Sequence, residues 1–547
     1  MSKLSVAPNY NNESRENEII LFTQPHSKEH LSKIAYEIPS SYADRLGSSY
    51  ASTVTLSAKK NKGQFFTPIN IAKFMGGLAV SDKKGIDILD PGCGTAILSC
   101  SLIENLVEQN SYLKTINLTV YETDTKLEAV TEKSILYLKN WLANMDISLQ
   151  YSIYSNDFII KNNNCLNPSN FNFSEVKQDF DFIISNPPYF KLPKEDYRVK
   201  LAQSIIDGQP NIYAIFLAIS TQMLKKDGKM IFIVPRSFTS GRYFNAFRNY
   251  FLKHIQIDFI HLFESRKDTF SRDSVLQETL ILKAKPKNEN EINPKIVISS
   301  CSGLHDIEHS QQFIYHQNDL IDLNSKEKII HLPTNTKEDA VMSLFKTWSG
   351  SLNKYNIQIS TGPIVAFRME SFIKETPEEE TVSLYWLHNI NKMDFNFPLQ
   401  YKNKKQFILT CKKTKPYLIP NKNYVFLRRF SSKDDKSRLI ATPYFASIVD
   451  KSYIGVENKL NYIYRPQGNL TRAEIMGIAA LLNSKLFDTY FRTFNGNVNV
   501  SATEIRTMPL PPLETIQEIG KEIILQNNFS IDIVNKVINK YFELNRE

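Results

Sequence analysis

Cysteine is scarce in this sequence, and its cysteines are scattered. Among 547 residues there are five, Cys93, Cys100, Cys165, Cys301 and Cys411, with no CxxC pair and no histidine cluster beside them. Disulfide scaffolds and zinc sites both need thiols at characteristic close spacings. We therefore expect neither a disulfide framework nor a bound metal, and we expect a reducing compartment.

Long apolar runs are also missing. The first residues, Met1-Ser2-Lys3-Leu4-Ser5, lack the apolar core of a signal peptide. No stretch approaches the length of uninterrupted apolar residues that spans a bilayer. The sequence therefore predicts a soluble cytoplasmic protein with no membrane partner.

The net charge excludes few classes of binding partner. Lys and Arg number 66 against 57 Asp and Glu, which gives +9. This mild excess fits a polyanionic partner without establishing one. The hydrophobic fraction of 42% and the charged fraction of 22% are ordinary for a soluble globular protein.

Between residues 62 and 285, short apolar runs alternate with amphipathic stretches. The predicted strands are 85–89, 116–121, 149–154, 180–185, 229–234, 255–263 and 275–283, and the predicted helices are 95–107, 126–142, 212–224 and 241–253. Repeated strand–helix units predict a parallel, doubly wound α/β sheet. The last two strands are too close for a helical crossover, so we expect an antiparallel strand at the sheet edge.

The rest of the chain is divided by composition. We predict a partly helical N-terminal extension (1–60), a catalytic domain (61–285) and a polar connector (286–340). Aromatic and basic residues then mark a second, mixed α+β domain (341–513), followed by a helical segment (514–547).

Two motifs in the α/β region indicate a nucleoside ligand. The first strand runs into the turn Asp90-Pro91-Gly92-Cys93-Gly94, where glycines let the backbone approach a ligand before a helix N-terminus. Glu122 ends the next strand, where an acid can hold ribose hydroxyls. Taken singly, a tight turn and a helix-capping acid explain these residues equally well.

A third motif, Asp157-Phe158, follows the third strand. Asp157 can accept a hydrogen bond from an adenine amino group, while Phe158 can cover one face of the ring. The alternative is a plain strand-end turn, in which Asn and Asp are common.

The fourth motif is Asn186-Pro187-Pro188-Tyr189, delivered by the apolar strand 180–185. Consecutive prolines stiffen the turn and remove two backbone donors, so it presents carbonyl acceptors without a competing N–H. The Asn186 side chain adds another acceptor and Tyr189 a flat surface. This arrangement suits the methylation of a planar exocyclic amine, although a proline turn that ends a strand would look similar.

In this order the motifs resemble the gamma class of N6-adenine DNA methyltransferases, the TaqI-like enzymes of restriction–modification systems. Upstream, Gly63-Gln64-Phe65-Phe66-Thr67-Pro68 and the helix 69–78 resemble the family's cofactor motif. Downstream, the stretch 211–229 resembles the helix and turn after the reactive loop, and Phe270 matches the aromatic that packs on the extruded base. The resemblance covers residues 60–285.

The resemblance implies a Rossmann-like methyltransferase fold and S-adenosyl-L-methionine as cofactor. The implied cofactor contacts are Thr67, Asp90, Gly92, Gly94, Glu122, Asp157 and Phe158. The implied catalytic residues are Asn186, Pro187, Pro188 and Tyr189, and Tyr189 and Phe270 would contact a flipped adenine. No metal is implied. A cytosine-C5 enzyme is excluded because none of the five cysteines follows a proline.

The implied partner is double-stranded DNA, which the enzyme would protect from a cognate restriction endonuclease without binding that endonuclease stably. We expect a monomer in a prokaryotic cytoplasm. Residues 401–440 hold twelve Lys and Arg against Asp434 and Asp435, with interleaved aromatics, which is typical of a phosphate-binding surface. We interpret this domain as a target reader, with Arg368, Arg428 and Arg429 as candidate DNA contacts.

Other activities remain open at this point. The same tetrapeptide would serve a methyltransferase acting on RNA adenine or on a protein glutamine amide, although those enzymes usually lack a large basic C-terminal domain. A non-catalytic DNA-specificity subunit would not need the cofactor motifs. A restriction–modification fusion would need room for a nuclease domain, and we identify none.

Overall fold

In a computed structural model of the chain, the apolar runs predicted as strands form the centre of one mixed sheet. The structure describes residues 37–55, 63, 65–166, 179–206, 210–263, 278–301, 303, 306–307, 310–400, 405–431, 435–526 and 528–542. The chain divides into two units, Met1–Pro235 with Asn249–Gln311, and Arg236–Arg248 with Gln312–Glu547.

Eight strands of the first unit pair in the order β3-β2-β1-β4-β5-β7-β6-β8. They are β1 (Gly85–Pro91), β2 (Thr115–Tyr121), β3 (Ser148–Tyr154), β4 (Phe180–Ser185), β5 (Leu224–Pro235), β6 (Ile255–Phe263), β7 (Thr279–Pro286) and β8 (Lys295–Cys301). Only β7 runs antiparallel to its neighbours within this set. The predicted doubly wound α/β fold is confirmed.

Helices precede β1, and further helices lie between successive strands from β1 to β6. They are α1 (Pro39–Thr53), α2 (Ile69–Gly77), α3 (Ile97–Gln109), α4 (Thr125–Ala143), α5 (Phe158–Lys161), α6 (Tyr197–Leu201), α7 (Ile212–Gln222) and α8 (Asn245–His254), the last of which crosses the boundary between the units. Residues Ile212–Thr221 of α7 are buried on every side, as is typical of a helix inside a core.

The antiparallel strand does not lie at the edge of the sheet, which corrects the prediction. β7 lies between β5 and β6, and β6 pairs in parallel with β8. β8 comes from residues interpreted as a polar connector, but Ile296 and Ile298 are fully buried on one face of it. The first unit therefore extends to Gln311 and not to residue 285.

The N-terminal helix α1 also belongs to the first unit and is not a separate extension. The Ser40 hydroxyl donates to Glu104 Oε2 at 2.7 Å, and the Ser40 amide donates to Glu104 Oε1 at 2.6 Å. The Tyr42 ring stacks on Tyr137 of α4 at 4.3 Å between centroids. These contacts attach α1 to α3 and α4.

The second unit is mixed α+β, as predicted. Its strands are β9 (Gln311–His316, which begins at the last residue of the first unit), β10 (Gln358–Thr361), β11 (Ile373–Lys374), β12 (Thr381–Tyr385), β13 (Ile390–Asn391), β14 (Asp394–Phe395), β15 (Phe407–Leu409), β16 (Ile419–Pro420), β17 (Tyr424–Arg428), β18 (Ala441–Tyr444), β19 (Tyr453–Val456) and β20 (Leu460–Tyr464). Three sheets form within it: β10-β20-β17-β18, β11-β15-β12-β19-β16 and β13-β14.

Its helices are α9 (Gln317–Leu320), α10 (Thr336–Lys346), α11 (Arg472–Asn483), α12 (Lys485–Phe494), α13 (Ala502–Thr507), α14 (Leu513–Leu525) and α15 (Ile531–Phe542). The C-terminal segment predicted as one helical stretch is thus two helices, α14 and α15. None of the helices within the described residues combines the length and the apolar composition needed to cross a lipid bilayer.

A short segment predicted within the catalytic domain, Arg236–Arg248, belongs to the second unit. The Arg236 guanidinium donates to the carbonyl oxygens of Arg492 and Thr493 at 2.8 and 2.7 Å. The Ser240 hydroxyl donates to Glu504 Oε1 at 2.8 Å. Buried hydrogen bonds of this kind explain why the chain crosses into the second unit here and returns to the sheet at β6.

Two adjacent glycines at the end of α2 provide a test of the packing of α2 on α3. A Cβ atom on Gly76 would lie 2.6 Å from the Ser101 carbonyl oxygen, whereas a Cβ on Gly77 would meet no heavy atom within 4 Å. We expect Gly76→Ala to lower the free energy of unfolding by about 1–3 kcal/mol through overpacking. Gly77→Ala should be neutral or stabilising by up to about 1 kcal/mol, since alanine favours helix. Thermal and denaturant unfolding of the full chain measure both, and equal effects would contradict this packing.

Candidate active site

The loops after β1, β2 and β4 surround a cleft of about 450 Å³ in the first unit. This volume lies within the usual range for small-molecule sites. Seven residues predicted to contact cofactor or substrate line it: Gly92, Gly94, Glu122, Asp157, Phe158, Asn186 and Pro188. The structure therefore brings together motifs that are up to 96 positions apart in the chain, since Gly92 and Pro188 lie on the same wall.

The glycine turn gives the cleft a wall made of backbone. Gly92 and Gly94 have φ of +78° and +57°, in the left-handed region that glycine adopts without strain. A Cβ on Gly92 would lie 3.7 Å from the Phe216 ring and 3.8 Å from Pro188. Glycine at this position keeps that part of the cleft open for a ligand.

Glu122 places a buried carboxylate on the next part of the wall. Its Oε2 accepts from the Gly94 amide at 3.1 Å, and its Oε1 accepts from the Asp124 amide at 2.8 Å. A carboxylate offers about four acceptor sites, so two hydroxyl donors can still be accommodated. Burial raises the pKa of Glu122 to about 7, because the charged form loses its hydration.

The carboxyl group of Asp124 lies beside Glu122 and accepts a hydrogen bond from α1, a helix without a recognised sequence motif. Asp124 caps α4 by accepting from the Lys126 amide, and its Oδ2 accepts from the Tyr50 hydroxyl at 3.1 Å. The Tyr50 ring also meets the edge of Phe66, with centroids 5.9 Å apart. The sequence indicated weak helicity around α1 but gave no signal for this role of Tyr50.

Both carboxylate oxygens of Asp157 already have hydrogen-bond partners within the protein. Its Oδ1 caps α5 by accepting from the amides of Ile159 and Ile160 at 2.9 and 3.1 Å. Its Oδ2 lies 3.3 Å from Arg198 Nη1, and the same guanidinium is bound more tightly by Asp196 at 2.6 Å. Arg198 lines the cleft and was not foreseen, because no motif surrounds it.

Phe158 is a buried ring within an aromatic wall. Its centroid lies 5.0 Å from Phe216 and 5.1 Å from Tyr121. The three rings give the cleft an apolar face beside Asp157. Such a face suits a planar heterocycle.

The Asn186 amide is fixed in one orientation. Its Nδ2 donates to the Phe65 carbonyl oxygen and to Thr67 Oγ1, both at 3.0 Å, while its Oδ1 lies 2.5 Å from the Tyr189 hydroxyl. Nearby, the Ser185 hydroxyl donates to the Pro91 carbonyl at 2.7 Å and joins the ends of β4 and β1. The amide oxygen is therefore held in place by contacts on both ends of the side chain.

Tyr189 differs from its predicted role as an open aromatic surface. Its ring is only 6% exposed and lies 6.1 Å from the Phe65 ring and 6.2 Å from the Tyr213 ring, measured between centroids. Its hydroxyl lies 2.7 Å from the Ile233 carbonyl oxygen in addition to Asn186. These two acceptors explain why the ring is held inside the protein.

Four more predicted site residues do not appear among the residues that line the cleft. Thr67, Asp90 and Pro187 are buried, and Phe270 lies outside the described residues. Asp90 Oδ2 accepts from the Ser99 hydroxyl at 2.7 Å, whereas its Oδ1 is buried with no hydrogen-bond partner among the described residues. Burial raises the pKa of Asp90 to about 7.

The basic stretch of the second unit is only partly available to a polyanion. Arg438 is fully buried and donates to Ser431 Oγ at 3.0 Å, which makes it a structural residue. Arg428 donates to the Ile390 carbonyl at 2.7 Å, and burial lowers its pKa. Arg368 is exposed. Lys402, Lys404, Lys433 and Asp434 lie outside the described residues.

Comparison with known proteins identifies the family of the chain. Residues 95–270 match the family model described as Eco57I restriction-modification methylase. The chain is 32% identical over 485 residues to the type II methyltransferase M.BsuBI of Bacillus subtilis, covering 88% of this chain and 94% of that protein. It is 27% identical over 518 residues to M.PstI of Providencia stuartii, covering 94% and 100%. The chain belongs to the type II methyltransferases of restriction–modification systems.

The fold of this type II methyltransferase is also found in a solved structure of the type IIL restriction-modification enzyme MmeI. That structure has a TM-score of 0.50 and 12% identity, and the match covers 93% of this chain and 71% of that one. Family membership makes the protein a DNA methyltransferase with S-adenosyl-L-methionine as cofactor. The cleft fits this cofactor, because it offers a backbone wall at Gly92, acceptor capacity at Glu122 and an aromatic face at Phe158.

Glu122 leads to a prediction about pH. If its carboxylate accepts cofactor hydroxyls, binding requires the ionised form, so affinity should fall by up to about tenfold per pH unit below pH 7. Glu122→Gln should bind more weakly at pH 8 and show a shallower pH profile. Calorimetry with S-adenosyl-L-methionine from pH 6 to 8 measures this.

The exposed Glu132 on α4 provides the matched control, and Glu132→Gln should retain the wild-type profile. If Glu122→Gln keeps the wild-type dependence of cofactor affinity on pH, Glu122 does not bind the cofactor hydroxyls.

Proposed function

We propose that this type II methyltransferase methylates the exocyclic N6 of an adenine that has been rotated out of duplex DNA. The observation that carries the proposal is the oriented Asn186 amide at the wall of the cofactor cleft. An amide held in this way directs its oxygen, an acceptor, toward a substrate amine. An adenine amino group carries two protons and lies in the plane of its ring, so it matches such an acceptor.

The adenine N6 nitrogen is a weak nucleophile because its lone pair is delocalised into the ring. S-adenosyl-L-methionine supplies an electrophilic methyl group on a sulfonium. Asn186 Oδ1 and the Pro187 carbonyl would each accept one amino proton and move the nitrogen toward a tetrahedral, nucleophilic geometry. Because Pro187 and Pro188 carry no N–H, the turn adds no donor that would compete for these acceptors. Positioning and preorganised acceptors then supply most of the rate enhancement.

Tyr189 supports Asn186 in this scheme. Its hydroxyl proton can bond either to Asn186 Oδ1 at 2.5 Å or to the Ile233 carbonyl at 2.7 Å. When the Tyr189 hydroxyl donates to Asn186 Oδ1, the second lone pair of that oxygen remains for the substrate amine. Burial raises the pKa of Tyr189 well above its ordinary value, so the hydroxyl stays neutral throughout.

Thr67 has a related role. It was expected to contact the cofactor, but its side chain accepts from Asn186 Nδ2 and is buried away from the cleft. We assign it as a positioning residue that keeps the Asn186 amide from rotating by half a turn. A reversed amide would direct N–H donors at a substrate amine that is itself a donor.

The target base has to leave the helix before it can reach this cleft. Extrusion costs a few kcal/mol of pairing and stacking, and aromatic contacts can return on the order of 1–3 kcal/mol per base. Phe270 remains our candidate for that contact. We propose the second unit as the target reader, the enzyme as a monomer without a stable endonuclease partner, and host protection as its role.

The substrate class can be tested directly. We expect tritium from labelled S-adenosyl-L-methionine to appear as N6-methyladenine in duplex DNA, because the chain's relatives are type II methyltransferases of restriction–modification systems. Total RNA and a purified release factor serve as parallel substrates. Label confined to RNA or to protein would contradict the proposal.

Asn186→Ala should abolish methyl transfer, by a factor of about a thousand or more, because the oriented acceptor is lost. Cofactor affinity should stay within about twofold of wild type, since the cofactor contacts are made by other residues. The exposed Asn144 after α4 gives the control variant Asn144→Ala, which should keep full activity. Substantial turnover by Asn186→Ala would show that another group activates the amine.

A further inference from the structure

The second unit exposes a phenylalanine on a tight turn. Phe367 lies in the turn Ala366–Arg368 with 78% of its side chain exposed. The guanidinium carbon of Arg368 lies 5.5 Å from the ring centroid. The exposed Arg368 guanidinium has no hydrogen bond or ion pair among the described residues, so its charge is directed to solvent. Single exposed apolar side chains are common on protein surfaces, so the cation beside Phe367, and not its exposure alone, points to a partner.

A second pair of the same composition lies on a different loop. Phe430 is 40% exposed, and the guanidinium carbon of Arg429 lies 5.7 Å from its ring centroid. The backbone around this pair is rigid, because the Ser431 amide donates to the Val498 carbonyl at 3.0 Å and the Val500 amide donates to the Arg429 carbonyl at 2.8 Å. Val498 is itself 52% exposed beside this pair.

Both loops are anchored to one turn. Arg429 Nη1 donates to the Asn458 carbonyl at 3.0 Å, and the Arg429 amide donates to the Lys459 carbonyl at 2.9 Å. The Asn458 amide donates to the Ile364 carbonyl at 2.9 Å, three residues before Phe367. The loops that carry the two pairs are therefore both hydrogen-bonded to the turn at Asn458 and Lys459. We call Phe367, Arg368, Arg429, Phe430 and Val498 the Phe–Arg surface.

The composition of the Phe–Arg surface indicates what binds there. Each exposed ring has a cation beside it, so the partner should combine apolar planar groups with closely spaced negative charges. Nucleic acid has this composition: arginine contacts phosphates, while aromatic and apolar side chains enter or cover base steps. Aromatic residues and arginine are also enriched at protein interfaces, so we choose DNA as the partner because the chain belongs to the DNA methyltransferases.

We propose that the Phe–Arg surface binds duplex DNA, with Arg368 and Arg429 on backbone phosphates and Phe367 as an apolar wedge at a base step. The proposal rests on the proposed function, because it takes DNA as the substrate. Phe367 is suited to the wedge because it is the more exposed ring and stands on a turn. The Arg429 guanidinium is held in place by the hydrogen bond from its Nη1 to the Asn458 carbonyl.

The test uses the full chain and a fluorescein-labelled duplex that the wild-type protein methylates. Phe367→Ala should raise the Kd for this duplex roughly tenfold without changing its dependence on salt, because no charge is removed. Arg368→Ala should raise the Kd and make the salt dependence shallower by about one released ion. Both variants should bind S-adenosyl-L-methionine and unfold thermally as the wild type does.

Ile448, 43% exposed on the same unit, provides the matched apolar control. Ile448→Ala should bind DNA like the wild type. If the wild-type protein methylates the duplex but Phe367→Ala and Arg368→Ala bind it normally, the Phe–Arg surface is not a DNA contact and the proposed function stands. If the wild-type protein neither binds nor methylates DNA, both proposals are wrong.

Discussion

The orientation of one amide group is the constraint on which the site depends. The Asn186 side chain is held by the Phe65 carbonyl, Thr67 Oγ1 and the Tyr189 hydroxyl, which come from two distant parts of the chain. An asparagine amide has a donor end and an acceptor end of nearly the same shape. Only its hydrogen-bond partners decide which end faces a substrate.

This constraint also explains how the cofactor site and the methyl-transfer site are joined. Phe65 lines the cleft with its ring while its carbonyl holds Asn186, so one residue contributes to both. The helix α2 follows Thr67 directly and packs closely on α3 through Gly76. The position of the amide thus depends on the packing of a helix that contacts no substrate.

The α/β framework and the reactive turn were predictable because their signals are local. Buried strands such as Phe180–Ser185 are mostly apolar, and Asn186-Pro187-Pro188-Tyr189 is stiff whatever surrounds it. Strand β8 was missed because it lies in a polar stretch and gains its burial only from pairing with β6. Its run Ile296-Val297-Ile298 is as apolar as the predicted strands, so the polar residues on either side led to its interpretation as a connector.

The missed site residues have the same explanation. Tyr50 contacts Asp124 across 74 positions, and Arg198 contacts Asp157 across 41, so neither contact leaves a local pattern. The burial of Tyr189 was not predictable either, because it depends on the Ile233 carbonyl at the far end of β5. Tertiary hydrogen bonds decide these roles, and sequence periodicity carries no information about them.

The most direct test of this account replaces Thr67. Thr67→Val keeps the shape of the side chain but removes the acceptor for Asn186 Nδ2, whereas Thr67→Ser keeps the acceptor. In single-turnover methyl transfer at saturating S-adenosyl-L-methionine, we predict that Thr67→Val lowers the rate constant by about tenfold or more, with cofactor Kd within about twofold of wild type, and that Thr67→Ser restores the rate. A Thr67→Val protein that binds the cofactor weakly but transfers at the wild-type rate when saturated would contradict the account.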